Sequence, residues 1–187
     1  MKPRIHNRAL ALVLLVMAIL GVSFLPGSGQ VRTIPASPNL KLQGLDGRIY
    51  DLNDLHGSVV LVSFGATWCG PCTAELRALG ELLIEYKSKP VKFYWVSIDR
   101  GDEVNNGALK SYAKERKVAF PVLRDTAQMV FSQFSPKVRL PMIVLLGKDG
   151  RVDAPVQFGM QAPVTAYKAD IRRRLNKLLA APSDADR

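Results

Sequence analysis

Apolar and polar positions fall into segments of distinct period along the chain. Ala9 to Leu25 is an apolar run without a single charge. Pro26 to Pro38 then carries three prolines, two glycines and little that could form a core, which marks a linker. From Asn39 the pattern becomes that of an alternating α/β domain. Asp46-Gly47 predicts a hairpin turn, because this pair readily takes positive φ angles. Asp51 to Leu55 is a short polar segment, broken by His56-Gly57. Val59 to Phe64 is nearly continuous in apolar residues, as a central strand buried on both faces requires. Pro71 to Ser88 repeats Leu76, Leu79, Leu83 and Tyr86 at helical spacing. Val91 to Ile98 predicts a second strand, Glu103 to Arg116 a polar helix and Phe120 to Leu123 a short strand. Thr126 to Phe134 is expected to be helical with Asp125 as its N-cap. Met142 to Leu146 predicts a strand, and residues 148–151 a tight turn into a strand over Val152 to Phe158. A last helix is expected over Pro163 to Ala181, with Val164, Tyr167, Ile171, Leu175 and Leu178 as its buried stripe. Together these predict an α/β fold, a mixed central sheet with helices on both faces.

Composition adds a topology signal. Hydrophobic residues are 48% and charged residues 22% of 187, ordinary values that exclude a disordered chain, a multi-span membrane protein and a fibrous repeat. Net charge is +10, which invites a nucleic-acid reading. Four of the excess cations, Lys2, Arg4, Arg8 and Arg32, lie before residue 39 with no acid among them. A basic start followed by an apolar run is a signal sequence or signal anchor. At 1.5 Å per residue Ala9–Leu25 spans roughly 25 Å as a helix, short for a bilayer but workable. No A-x-A site follows, which favours an uncleaved anchor, and no cysteine stands near enough to carry a lipid. Cations stay on the cytoplasmic side, so residues 39–181 are expected outside the cytoplasmic membrane as one domain. Residues 1–25 form the leader, 26–38 the linker and 182–187 a flexible tail. A further +4 lies between Lys168 and Lys177 on the last helix. Its plain reading is a solvated face; the sharper one is contact with anionic lipid headgroups or an acidic partner. Either way no nucleic acid is expected as a partner.

The candidate chemistry sits where a buried strand ends and a helix begins, at Trp68-Cys69-Gly70-Pro71-Cys72. Two intervening residues let one helical turn bring the sulfurs together. The helix N-terminus stabilises negative charge on the first cysteine and raises its thiolate fraction. Pro71 suits a first helical turn, where a missing N–H costs nothing, and Gly70 keeps the approach uncrowded. Cys69 is expected to be the exposed nucleophile and Cys72 the shielded resolving thiol. A structural zinc site would need about four ligands, and the chain has two cysteines and two histidines, one of them in the leader. A purely structural disulfide over so short a loop would remove little chain entropy. A redox-active dithiol needing no other cofactor is the reading that uses every feature, and export permits disulfide chemistry.

The motif, in its setting after an apolar strand, resembles the active site of the thioredoxin superfamily. The flanking pieces Leu45-Asp46-Gly47-Arg48, Phe120 to Asp125, Leu140-Pro141 and Asp149-Gly150 are similar to its TlpA/ResA-like branch of membrane-tethered thiol–disulfide oxidoreductases. The resemblance covers about Asn39 to Leu179. It implies a thioredoxin-like fold, a cis peptide bond before Pro141 beside the dithiol, and a role for Glu75 in moving the Cys72 proton. The chain departs from the pattern at four places. Ser63 stands where thioredoxins have a buried aspartate, which shifts the proton route to Glu75 or water. Gly65 replaces an aromatic, so packing beside the dithiol is expected to be looser. Arg77 replaces a proline that kinks the helix. Leu140 puts an apolar face before Pro141.

The cycle implied is attack by the Cys69 thiolate on a partner disulfide, then release of the reduced partner as Cys72 attacks Cys69. The Gly-Pro pair is that of thioredoxin, at about −270 mV against about −120 mV for strongly oxidising exported relatives of the fold, which favours a reductant. The expected partners are disulfide-containing exported proteins, as in cytochrome c or metal-site maturation, and a membrane protein that delivers electrons, the chain itself acting as a monomer. A thiol peroxidase would put its cysteine in a Pro- and Thr-rich loop, unlike Ala66-Thr67-Trp68. A copper-delivery protein would want wider cysteine spacing and a histidine after His56. A redox-silent docking module would have no need of the intact motif.

Overall fold

The computed structural model describes Pro35 and residues 38–182. The expected leader, most of the linker and residues 183–187 of the expected tail lie outside the described residues. Among the described residues no helix is long and apolar enough to cross a membrane.

Seven strands form one mixed sheet: β1 (Lys41–Gly44), β2 (Ile49–Asp51), β3 (Val59–Gly65), β4 (Val91–Ser97), β5 (Val122–Arg124), β6 (Met142–Leu146) and β7 (Gln157–Phe158). Their spatial order is β2-β1-β5-β4-β3-β6-β7. β3, β4 and β5 run parallel, joined through α1 (Gly70–Glu85) and α2 (Asn106–Glu115), as parallel neighbours need long crossovers. β1 and β2 form the expected hairpin, with Gly47 at φ 84° in its turn. β6 pairs antiparallel with β3, placing Met142 opposite Phe64. α3 (Val164–Ala180) closes the chain.

Side chains alternate across the sheet, so two apolar clusters form on its two faces. Val60, Val62 and Phe64 join one; Val59 and Leu61 join the other. Apart from Cys72 at the start of α1, the three α-helices send their buried apolar side chains to the second cluster, among them Leu79, Leu109 and Ile171. The first face is covered by segments without α-helix, where Phe64 packs against Phe131 and Phe134 with ring centroids 5.8 Å apart. Such pairs add about 1 kcal/mol each beyond their burial. The structure thus differs from the expectation of helices on both faces. The reason lies in Thr126–Phe134, which turns irregularly instead of coiling. Gln128 takes a left-handed backbone (φ 55°), which a continuing helix forbids. Only a 3-10 turn, Phe131–Gln133, remains. Asp125 is therefore not the N-cap expected, since Val130 holds that position in the 3-10 turn, but its carboxylate accepts from the Phe131 N–H at 2.7 Å. The strand expected over Val152 to Phe158 is also interrupted. Val152 makes an isolated bridge to Leu146, and pairing resumes only at Gln157. Pro155 between them has no N–H to give a ladder.

The last helix buries Tyr167, Ile171 and Leu175, while Val164 stays half exposed in its first turn. Its cations are paired. Lys168 meets Glu81 and Arg172 meets Glu85, both on α1; Arg173 meets Asp170; Arg174 and Lys177 share Asp153. The face expected to be merely solvated is largely neutralised, and two of its cations tie α3 to α1.

Candidate active site

β3 delivers the chain to the sheet edge at Gly65, and Ala66 to Trp68 turn it into α1. The turn is held from the next strand. Asp99, fully buried just past β4, accepts from the Thr67 N–H at 3.0 Å and the Thr67 hydroxyl at 2.8 Å, and from the Ser97 hydroxyl at 2.8 Å. The sequence reading passed over Asp99; an acid two residues after a serine, ending an apolar strand, was its only trace. Asp99→Ala would strand these donors in a dry site. We expect a loss of about 3 kcal/mol of stability, read as a lower urea midpoint; an unchanged midpoint would show that the loop does not depend on this anchor.

The loop presents Trp68 largely exposed and Cys69 at the N-cap of α1. The Cys69 sulfur accepts from the Cys72 N–H at 3.3 Å, and Pro71 occupies the first turn. Gly70 and Pro71 are exposed, and nothing lies within 4 Å of where a Cβ on Gly70 would point. Cys69 and Cys72 are joined in a disulfide with an S–S distance of 2.07 Å. Both cysteines are buried, Cys69 with 6% residual exposure and Cys72 with none, so the exposure expected of Cys69 is nearly absent in the disulfide, although the asymmetry runs in the expected direction. α1 runs unbroken from Gly70 to Glu85 through Arg77.

Pro141 follows a cis peptide bond from Leu140 and directly precedes β6. Its neighbour Met142 lies opposite Phe64 in the sheet, and both belong to the apolar cluster that contains the two cysteines. Leu140 packs against that same cluster, as the sequence led one to expect of an apolar side chain there. The Pro141 carbonyl accepts from the Gly159 N–H at 2.7 Å. Pro141 therefore stands at the same end of the sheet as the dithiol.

Beneath α1 lies a buried polar cluster. Glu75 is fully buried, one turn beyond Cys72. It accepts from the Ser63 hydroxyl at 2.6 Å and from the Tyr167 hydroxyl at 2.5 Å. Burial pushes its carboxyl up to about 7, against the pull of the two hydroxyls. Tyr167 is itself raised, by burial first and then by the Glu75 charge. The serine in the aspartate position thus partners a carboxylate supplied from the helix. Tyr167 was legible only as one more member of an apolar stripe.

Packing beside the dithiol is not loose, contrary to expectation. Trp95 of β4, fully buried, fills the space that Gly65 leaves. A Cβ on Gly65 would meet Trp95 Nε1 at 2.5 Å and Cys72 Sγ at 3.3 Å, a clash that only glycine avoids. Trp95 stacks on Tyr112 at 5.6 Å, and the Arg116 guanidinium lies 3.6 Å over the far ring. Tyr112 and Arg116 both reach the Thr73 hydroxyl on α1.

This sheet, and a disulfide of C-x-x-C spacing at the mouth of its central βα connection, define a thioredoxin-superfamily domain. The chain belongs to the AhpC/TSA family, which matches residues 35–154. It is 29% identical over 153 residues to the thiol-disulfide oxidoreductase ResA of Bacillus cereus, covering 78% of this chain and 86% of that protein. It is 30% identical over 116 residues to ResA of Bacillus subtilis, covering 62% of each. Among solved structures, a thioredoxin-family thiol:disulfide interchange protein from Chlorobium tepidum superposes with a TM-score of 0.64 at 22% identity, covering 79% of this chain and 98% of that one.

Proposed function

We propose that this chain is a thiol–disulfide oxidoreductase that reduces disulfides in exported proteins, held at the outer face of the cytoplasmic membrane by its leader. The observation that carries this reading is the disulfide of C-x-x-C spacing at a helix N-terminus, with Cys69 at the N-cap keeping 6% exposure and Cys72 keeping none. Of the two, Cys69 is the one a partner disulfide would reach, and Cys72 is reached by its neighbour. In the reduced enzyme the Cys69 thiolate attacks a partner disulfide and expels one partner thiolate. Cys72 loses its proton and attacks Cys69, reforming the Cys69–Cys72 bond and expelling the second partner thiolate. Two electrons pass to the partner, and both of its thiolates take up protons.

Glu75 is the group we assign to receive the Cys72 proton, on account of its burial one turn away and its raised carboxyl. Trp68 offers an exposed apolar surface beside Cys69. Pro141 limits the approach from the neighbouring strand. The ResA relatives, named thiol-disulfide oxidoreductases, support the reaction class; Gly70-Pro71 between the cysteines supports the direction, and the basic leader before an uncharged run supports the setting. Because the catalytic domain would stand outside the cytosol, the dithiol would be recharged by a membrane thiol donor.

The test is a trap. Cys72→Ser in the full-length chain should accumulate mixed disulfides through Cys69, visible as higher-mass bands on non-reducing gels that collapse with reductant. Their identification names the substrate. Absence of any such adduct in the native host would argue against a protein substrate.

A further inference from the structure

Trp95 Nε1 is a buried donor with no hydrogen-bond partner among the described residues. Such groups are rare in a native interior, and this one borders the reacting atoms. A Cβ on Gly65 would meet both this nitrogen, at 2.5 Å, and Cys72 Sγ, at 3.3 Å. In the disulfide Cys72 Sγ is held by Cys69 and does not stand in hydrogen-bond geometry as the indole's acceptor. Once the S–S bond is broken, the same sulfur as a thiolate is a strong one.

We propose that the Trp95 indole N–H is the hydrogen-bond donor to the Cys72 thiolate, an acceptor that exists only in the reduced enzyme and in the mixed-disulfide intermediate. The proposal rests on Cys72 being the resolving thiol. It supplies what that thiol otherwise lacks: Cys72, in the first turn of α1, is sealed from water, and a carboxyl stands one turn behind it. In the resolving step the Cys72 thiolate attacks Cys69 Sγ, the Cys69–partner S–S bond breaks, and the partner sulfur leaves as a thiolate that takes a proton from water. The donor holds the attacking sulfur ionised and aimed until bond formation removes its charge, and then loses its acceptor.

The other groups facing this pocket are Glu75 on α1, Tyr167 on α3, and Tyr112 with Arg116 behind it at the end of α2. Tyr167 donates to Glu75, and Tyr112 meets the Thr73 hydroxyl. Ser63, opposite Trp95 in the β3–β4 pairing, donates to Glu75, so Glu75 is the charged rival acceptor for the indole.

The chain has two tryptophans, so two indole N–H signals report the outcome in a nitrogen-15 spectrum of the full-length protein in detergent. Trp68→Phe, at an exposed position, assigns them without disturbing the core. On reduction the Trp95 signal should move downfield, and its pH titration should share a midpoint with the Cys72 thiolate absorbance of a Cys69→Ser variant. In Trp95→Phe that midpoint should rise by about one pH unit, and resolution of a preformed mixed disulfide should slow about tenfold at neutral pH. The first attack, by Cys69, should stay within about twofold. An indole signal indifferent to reduction overturns the proposal even if the phenylalanine variant does not fold. So does a downfield shift that vanishes in Glu75→Gln, because the donor then serves the carboxylate. Failure of the Cys72→Ser trap with the indole shift intact would instead remove the substrate reading and leave the donor in place.

Discussion

Replacing Cys69 with serine is expected to abolish insulin reduction to the background of the assay mixture, a loss of at least a thousandfold. The size follows from the chemistry. A serine hydroxyl is almost wholly protonated near neutral pH, and no base lies positioned to ionise it. Even as an alkoxide it could not form the mixed disulfide that the cycle requires. The helix N-terminus, which favours a thiolate at this position, cannot bring an alcohol's pKa within reach. Cys72 cannot substitute, since it has no exposure and no room to meet a protein disulfide. Folding should survive, because serine keeps the N-cap hydrogen bond and is among the best residues at that position. Retention of more than a few per cent of the activity by a folded Cys69→Ser variant would overturn the mechanism.

The second large effect is on stability and comes from Glu75. In the unfolded chain its carboxyl titrates near 4.5, and in the fold burial raises it to about 7. Between these values the folded state holds a proton that the unfolded state has lost, so stability falls as pH rises. The penalty is absent below about pH 4.5, grows through the interval and is complete above about pH 7. It amounts to about 3 kcal/mol in all. Glutamine keeps the shape and carries no charge, and its oxygen and NH2 can each meet one of the two hydroxyls. Glu75→Gln should therefore be the more stable protein at pH 8, by an amount that shrinks towards zero at pH 4.5. Asp125, also raised by burial, acts in the same sense but is common to both proteins, so the difference between their curves isolates Glu75. Parallel curves would mean that Glu75 does not titrate in the fold as described.

What could be read from the chain and what could not divide along one physical line. Cys69, Cys72, Gly70, Pro71 and Glu75 lie within one helical turn or two of each other. Residue type and spacing within a single element therefore state their relation, while Pro141 and a role for Glu75 were singled out by the family resemblance. Asp99, Tyr167 and Trp95 come to the site through tertiary packing. Thr67 meets Asp99 across 32 residues, and Tyr167 meets Glu75 across 92. No local pattern distinguishes a tyrosine that must donate to a buried carboxylate from one that merely fills a core. Gly65 shows the difference most clearly. Read locally it was a missing aromatic; in the sheet it is the space that an aromatic from the adjacent strand occupies. The fold was legible where hydrophobic period was strong, in β3, β4, β6, α1 and α3. It was not where one backbone choice, at Gln128 or Pro155, outweighed the pattern around it.

The docking of α3 also sets an order in time. A ribosome delivers Cys69, Cys72 and Glu75 about a hundred residues before Tyr167, so the dithiol leaves the tunnel without the hydroxyl that later grips its carboxylate. Until the last helix arrives, Glu75 lacks its Tyr167 donor. Lys168 and Arg172 have yet to find Glu81 and Glu85. The cysteines are thus synthesised before the hydroxyl that completes the buried Ser63–Glu75–Tyr167 cluster behind them.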